Sequence, residues 1–108
     1  MGKEEVLSGL LMELRRGTIV LSVLSQLSEP RYGYSLVTIL TEYGMPVETN
    51  TLYPLLRRLE GQGLLISEWN TEESKPRIYY CITPEGKEVY EKLKKQWRRT
   101  VESMEQLL

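Results

Sequence analysis

The chain has 108 residues, with 14 basic and 15 acidic side chains for a net charge of −1, and it contains no histidine, no aspartate and a single cysteine. This inventory excludes a Ser-His-Asp triad, a Cys-His pair and a His- or Cys-rich zinc site, so we expect no enzyme, no metal site and no cofactor. The length fits one small domain, and the absence of a long apolar run or a secretory signal predicts a cytoplasmic protein without a membrane partner.

Helical segments are predicted before residue 30. Four leucines recur at the spacing of one helical face: Leu7, Leu10, Leu11 and Leu14. A second apolar set follows from Ile19 to Leu27, and Gly17 between the two sets is expected to break or bend the helix. Pro30 ends the stretch, because proline has no N–H donor and disfavours helix in the residue before it.

A short helix is predicted over residues 34–43, followed by a stop signal. Its apolar face has four members: Leu36, Val37, Leu40 and Tyr43. Gly44 suits the left-handed position that ends many helices, and Pro46 lies just beyond it. Ser35 is either a simple cap or a residue whose hydroxyl joins the helix N–H groups in holding a phosphate.

The next helix divides into a packing face and a free face. The packing face consists of four leucines at 3.6-residue spacing: Leu52, Leu55, Leu56 and Leu59. Asn50, Pro54 and Arg57 point the other way, with Tyr53 and Arg58 on the flanks. One side of this helix is therefore expected to pack, and the other is free to contact a partner.

Both ends of this helix carry sequence signals. Three residues are candidates for its N-terminal cap: Thr49, Asn50 and Thr51. Any of them places Pro54 in or near the first turn, where its missing N–H matters least. Gly61 and Gly63 are expected to end the helix.

Two short apolar runs, residues 64–66 and 78–82, flank the polar segment 70–75. This is the pattern of a β-hairpin with a long tip. A helix followed by such a hairpin is the winged form of the helix-turn-helix, so the predicted fold is mainly α with a small β-hairpin. Cys81, inside the second run, is interpreted as a small buried side chain rather than a redox sensor.

A long helix with one apolar seam is predicted after the Thr83-Pro84 start signal. Its a-type and d-type heptad positions hold Tyr90, Leu93, Trp97, Met104 and Leu107. Thr100 at a d position weakens the heptad, and the seam is alternatively covered in part by the N-terminal helix. A monomer would leave much of the seam in water, so we expect a two-fold homodimer.

Both terminal helices are expected to contribute to that dimer. The proposed interface residues are Leu7, Leu10, Leu11, Leu14, Tyr90, Leu93, Trp97, Val101, Met104, Leu107 and Leu108. We divide the chain into a winged helix-turn-helix DNA-binding domain with an N-terminal helix, residues 1–83, and a C-terminal dimerisation helix, residues 84–108. A dimer of this kind would set two recognition helices about 34 Å apart, on successive major grooves.

Four motifs occur in a fixed order along the chain. They are Tyr-Gly-Tyr-Ser-Leu at 32–36, Thr-Leu-Tyr-Pro-Leu-Leu-Arg-Arg-Leu-Glu at 51–60, Gly-Leu-Leu at 63–65, and Pro-Arg-Ile-Tyr-Tyr at 76–80 with Thr-Pro-Glu-Gly at 83–86. The segment 17–93 resembles the PadR family of bacterial transcriptional regulators, and the short chain resembles its small, multidrug-sensing subgroup. The chain departs from the family pattern at Ile78, where a basic residue is common. The resemblance implies a repressor, commonly of its own gene and of a neighbouring transporter, detoxification or stress gene.

The predicted interface with double-stranded DNA draws on two helices and the hairpin. Its candidates are Ser35, Asn50, Thr51, Tyr53, Pro54, Arg57, Arg58, Lys75 and Arg77. Asparagine can hydrogen-bond to adenine, and arginine can hydrogen-bond to guanine or to a phosphate. Lys75 and Arg77 would reach phosphates or a minor groove. Tyr53, Tyr32 and Tyr34 are equally well explained as packing residues. The net charge argues mildly against DNA binding, so the basic groups must be confined to a local face.

Trp97 lies at the midpoint of the predicted dimerisation helix, with Leu93 one turn before it. It is expected to approach its counterpart near the two-fold axis, where two indoles would form a slot for a planar aromatic effector. The resemblance to drug-sensing PadR proteins implies such an inter-subunit site. The alternative is that Trp97 only fills the interface between helices.

Two classes of function remain open at this point. In the first, the chain is a repressor that binds a palindromic operator as a homodimer and is released by a small aromatic effector. In the second, the winged-helix scaffold is kept, but the chain acts as a ligand-binding or protein-interaction module with little specific DNA binding. The acidic balance of the composition is compatible with the second class.

Overall fold

The computed structural model describes residues 2–72 and 74–108. In chain order the elements are α1 (Lys3–Arg16), α2 (Ile19–Ser25), β1 (Arg31–Tyr32), α3 (Gly33–Glu42), α4 (Thr49–Gly61), β2 (Leu65–Asn70), β3 (Arg77–Ile82) and α5 (Pro84–Leu107). The mainly helical, winged helix-turn-helix fold expected from the sequence is confirmed, with α3 and α4 as the helix-turn-helix and β2 and β3 as the wing. Within the described residues, none of the helices has the length and hydropathy required to cross a bilayer.

The N-terminal helical stretch is divided into two helices near Gly17, as the sequence predicted. The backbone N–H and the hydroxyl of Thr18 both donate to the Arg15 carbonyl, at 2.9 and 2.7 Å, and close α1 before α2 begins. Val23 and Leu24 of α2 are buried, whereas α1 buries none of its residues. The apolar side of α1 therefore remains in solvent in the protomer.

The wing belongs to a three-stranded antiparallel sheet of order β1-β3-β2, and strand β1 was not expected from the sequence. In β1, Arg31 pairs with Tyr80 of β3. The Arg31 side chain also donates through Nε to the Gln26 carbonyl at 2.8 Å, which ties the strand to the end of α2. A strand of two residues is too short to show an alternating pattern.

Cys81 on β3 is only partly buried, because its cross-strand neighbour Ile66 lies on the exposed side of the sheet.

Helix α4 begins earlier than predicted. Glu48 occupies the N-cap position with an extended backbone, and its carbonyl accepts the Thr51 and Leu52 N–H groups at 3.0 and 2.9 Å. The three proposed caps all lie inside the helix: Thr49, Asn50 and Thr51. The prediction that one of them caps α4 was therefore wrong, because the N-cap position falls on Glu48 and no side chain makes a capping hydrogen bond there. Pro54 consequently lies beyond the first turn.

The core lies between α2, α3, α4 and the sheet. Its largest fully buried side chains are Leu24, Leu27, Leu36, Leu52, Leu56, Leu59 and Val23. The four leucines predicted for the packing face of α4 are all buried, so the sequence pattern oriented this helix correctly. Gly44 and Gly63 follow α3 and α4 in the left-handed conformation, with φ of 77° and 81°, as the sequence predicted for Gly44.

The first turns of α5 pack on the winged domain. The Thr83 hydroxyl accepts the Gly86 N–H at 3.0 Å and donates to the Gly63 carbonyl at 2.7 Å. Gly86 is buried against the Leu64 carbonyl, and the Tyr90 ring packs on the core. Beyond Tyr90 the helix extends away from the core. The proposed boundary between residues 83 and 84 therefore separates a proposed DNA-binding segment from a proposed dimerisation segment, but it does not separate two independently packed domains.

Candidate nucleic-acid interface

The face of α4 opposite its buried leucines is open to solvent. Asn50, Pro54 and Arg57 lie on it and are all exposed. This placement follows from the turn of about 100° per residue in an α-helix. Arg57 makes no hydrogen bond or ion pair with any other described residue. An unneutralised guanidinium therefore stands on the outward face of the second helix of the helix-turn-helix.

Tyr53 lies on one flank of α4 and closes the junction with α3. Its ring is partly buried and packs on the core. A Cβ added to Gly33 would lie 2.8 Å from the Tyr53 Cζ and 2.9 Å from its hydroxyl oxygen. Glycine at position 33 therefore permits this close approach, and the packing role that the sequence left open for Tyr53 is present.

The same flank of α4 is joined to the wing. The Ser67 hydroxyl of β2 donates to the Glu60 carboxylate of α4. Burial raises the pKa of the Tyr80 hydroxyl, and the neighbouring Glu60 carboxylate raises it further, whereas Arg57 acts in the opposite direction. These contacts hold the exposed face of α4 in a defined position relative to the hairpin.

The polar groups of the motif at residues 32–36 differ in their burial and in their contacts. The Ser35 hydroxyl is partly buried and donates to the Tyr32 carbonyl at 2.9 Å, within the first turn of α3. Tyr32 is partly buried, with its ring edge-to-face on Tyr79 at 5.7 Å between centroids. Tyr34 is exposed. Of the two tyrosines that the sequence left undecided, Tyr32 packs and Tyr34 is accessible to a partner.

The two basic residues of the wing occupy different environments. Lys75 is exposed near the tip of the hairpin. Arg77 is partly buried at the start of β3, and its guanidinium carbon lies 4.4 Å from the centroid of the Tyr32 ring. Arg77 is thus held against Tyr32 of β1, although its backbone forms the strand pair nearest the tip, opposite Asn70. Trp69, on β2 opposite Ile78, is exposed, and sequence reasoning assigned it no role.

Each of the two terminal helices carries an exposed apolar surface. Their exposed members include Leu7, Leu10, Leu11, Leu14, Leu93, Trp97, Val101, Met104, Leu107 and Leu108. Trp97 is 44% exposed in the protomer. Tyr90, which the sequence also assigned to the dimer, packs on the protomer's own core, with the Lys94 ammonium 5.0 Å from its ring centroid. The seam therefore begins after Tyr90 in the exposed part of α5.

Comparisons with known proteins agree with this architecture. The model of the transcriptional regulator PadR-like family matches residues 20–92. The transcriptional regulator Rv3488 of Mycobacterium tuberculosis is 36% identical over 76 residues, which cover 69% of this chain and 71% of that protein.

Solved structures resemble the fold over most of the chain. A PadR family transcriptional regulator from Eggerthella lenta is 52% identical, with a TM-score of 0.91 over 96% of this chain and 93% of the other. A PadR-like transcriptional regulator from Bacillus cereus is 30% identical, with a TM-score of 0.79 over 88% of this chain and 95% of the other.

Proposed function

This chain belongs to the PadR-like family of transcriptional regulators, and we propose that it is a cytoplasmic repressor that binds a palindromic operator as a homodimer. Regulators of this family bind DNA and typically act as dimers, and the relatives of the chain are transcriptional regulators, not enzymes. Beyond the family assignment, we propose that the chain represses transcription, that its operator is palindromic, and that the residues named below contact the operator.

The observation that carries the proposal is the exposed face of α4. It presents Arg57 without a neutralising partner among the described residues, on the same helix face as Asn50 two turns earlier. An arginine in the major groove can donate two hydrogen bonds to a guanine, and an asparagine can pair with an adenine. The remaining contacts are proposed for Ser35, Thr51, Tyr53, Pro54, Arg58, Lys75 and Arg77. This local cationic face supports DNA binding despite the net charge of −1.

The exposed apolar seam supports the homodimer. In one protomer, Trp97, Val101 and Met104 are partly open to water, together with the leucines of α1. A two-fold axis through this surface would bury it on both copies at once. The same axis would require two inverted half-sites, which is the reason for proposing a palindromic operator.

We expect Arg57→Ala to weaken binding to the operator by about 1–3 kcal/mol, because a bidentate contact to a base is lost. The fold should be unchanged, since the side chain is exposed and makes no contact that holds the core. Mobility-shift titration against the DNA upstream of the protein's own gene measures the effect. The matched variant Lys75→Ala should weaken binding to this fragment and to random DNA alike, because its proposed contact is a phosphate.

Two results of that experiment would count against the proposal. If folded Arg57→Ala binds the upstream fragment with wild-type affinity, α4 does not read bases through this residue. If the wild-type protein does not distinguish the upstream fragment from a random duplex, specific regulation at that site is excluded, and a ligand-binding or protein-interaction module becomes the better explanation.

For the effector we propose a planar aromatic compound held at the dimer axis by Trp97 and Leu93. Both side chains are exposed in the protomer and lie one turn apart on α5. Two symmetry-related indoles would provide flat apolar walls. Binding there would change the relative position of the two recognition helices and so disfavour the form that fits the operator.

In a Trp69→Phe background, planar cationic dyes are expected to quench the fluorescence of Trp97 and to weaken operator binding. Replacing Trp69 is necessary because its exposed indole would contribute to the same signal. The control is Trp97→Ala, which should lose affinity for the dyes, as followed by the dyes' own fluorescence. Absence of quenching across a panel of such dyes, or equal dye binding by Trp97→Ala, would refute the slot and leave the DNA-binding proposal intact.

A further inference from the structure

An open cleft lies between the α1–α2 junction and one flank of α4. Its volume is about 330 Å³, and the residues around it include Arg16, Ile19, Val20, Thr51, Leu55 and Arg58. One wall, formed by α1 and α2, includes Arg16, and the other, formed by α4, includes Arg58, while Ile19, Val20 and Leu55 supply apolar lining. Neither guanidinium has a hydrogen bond or an ion pair with any residue that the structure describes. The cleft is therefore a site of unneutralised positive charge beside the proposed recognition helix.

The cleft and the wing occupy opposite flanks of α4. Glu60 contacts the wing through Ser67, while Thr51 and Arg58 line the cleft. At about 100° per residue, positions 51 and 58 lie nearly in line along the helix, and position 60 lies roughly half a turn from both. Arg57 lies between the two flanks, on the exposed face.

The dimensions of the major groove determine what faces these flanks. An α-helix with its side chains is about 10–12 Å wide and the groove is about 12 Å wide, so a helix in the groove has a sugar-phosphate strand on each side. On one side of α4 the wing meets such a strand. On the other side the first protein groups available are those of the cleft, with Arg16 on its far wall.

We infer that Arg16 and Arg58 hold one phosphate of the DNA backbone between them, so that the end of α1 is a third DNA-contacting element. The inference rests on the proposed function, because it requires α4 to lie in the major groove. Arg16 and Arg58 line the same cleft from two different helices, and two guanidiniums can donate to different oxygens of one phosphate. Since α1 also carries the apolar row Leu7, Leu10, Leu11 and Leu14, the same helix would contact both DNA and the second subunit.

The open shape of the cleft favours a backbone phosphate over a small organic anion. Small-molecule sites usually enclose most of the ligand surface. This cleft is bounded by only two walls, and the flank of α4 that lines it adjoins the exposed face with Asn50, Pro54 and Arg57. A phosphate that is part of a duplex needs no enclosure, because the rest of the DNA is held by α4 and the wing.

The test compares Arg16→Gln and Arg58→Gln with Arg15→Gln, in full-length protein, on the upstream fragment and on a random duplex of equal length. Arg15 is the matched control because it is adjacent and carries the same charge, yet it lines a different cavity, near Leu40 and Met45. We expect Arg16→Gln to weaken binding to both duplexes about tenfold and to lower the slope of log affinity against log salt by about one. Arg15→Gln should match the wild type.

The double variant and a conservative variant test whether one phosphate is shared. Arg16→Gln/Arg58→Gln should lose less affinity than the product of the single losses, because the partners of a shared phosphate are not independent. Arg16→Lys, which keeps the charge, should restore most of the salt slope. Sedimentation of each variant at the assay concentration shows whether it is still a dimer.

Three outcomes would overturn the inference: Arg16→Gln indistinguishable from Arg15→Gln, a loss confined to the upstream fragment, or a salt slope that Arg16→Lys does not restore. If the wild-type protein fails to prefer the upstream fragment, the proposed function fails. The response of the random duplex to Arg16→Gln still decides the phosphate contact in that case. The two failures are therefore distinguishable.

Discussion

Val101→Glu is expected to convert the homodimer into a folded monomer and to lower operator affinity by at least about a thousandfold, towards non-specific binding. Val101 is 38% exposed in the protomer and lies one turn after Trp97, at the e-type position that adjoins the apolar seam. In a dimer built on this seam, two carboxylates would be buried without partners, which costs several kcal/mol per charge. Sedimentation equilibrium and mobility shift measure the two effects.

The matched control for this variant is Gln106→Glu. It adds the same charge to the same exposed helix but lies outside the heptad seam. It should leave the dimer intact and operator affinity close to that of the wild type. A Val101→Glu protein that remains dimeric with unchanged operator affinity would place the subunit interface elsewhere on the molecule.

Gly86→Ala is expected to destabilise the fold by ~3 kcal/mol, at the upper end of the cost of overpacking a core. The added Cβ would overlap the backbone carbonyl oxygen of Leu64 and lie 2.7 Å from the Ile82 Cγ1. The Leu64 carbonyl also accepts the Thr83 N–H, so it cannot move without loss of a hydrogen bond at the start of α5. Thermal or urea unfolding measures the change, at one protein concentration because the proposed dimerisation would contribute to stability.

Gly61→Ala is the matched control for this second prediction. Gly61 is also a helical glycine, but a Cβ added there meets no atom within 4 Å. Alanine should therefore be neutral or stabilise the fold by up to about 1 kcal/mol, through its higher helix propensity. Equal unfolding free energies for Gly86→Ala and Gly61→Ala would show that α5 can shift on the domain at no cost.

Sequence periodicity predicted the parts of this fold in which one face of an element is buried. The leucines of α4 are an example, because 3.6-residue spacing alone decides which side packs, and the exposed side followed for Asn50, Pro54 and Arg57. The wing was predicted in the same way, from two apolar runs and a polar tip. Gly44 was assigned correctly, because a left-handed φ of 77° is a local requirement that glycine meets without strain.

Features that depend on tertiary contacts or on very short elements were not predictable from the sequence. Strand β1 has only two residues and is defined by its pairing with β3. Helix α4 begins after Glu48, whose side chain makes no capping hydrogen bond, so no capping residue marks this start in the sequence. Likewise, the cleft beside Arg16 exists only because the end of α1 and the flank of α4 meet in space.

The packing of Arg77 has a consequence for the thermodynamics of binding. Its guanidinium rests on the Tyr32 ring, which in turn contacts Tyr79, so the side chain is ordered before any DNA arrives. Immobilising a flexible side chain at an interface costs about 0.5–1.5 kcal/mol in rotamer entropy. Lys75, exposed near the tip, would incur that entropic cost on binding, whereas Arg77 would incur little of it. The contacts of Lys75 and Arg77 should thus differ in their entropy of binding. At Arg77 a smaller loss of rotamer entropy would offset the favourable binding enthalpy, so more of that enthalpy would appear as affinity.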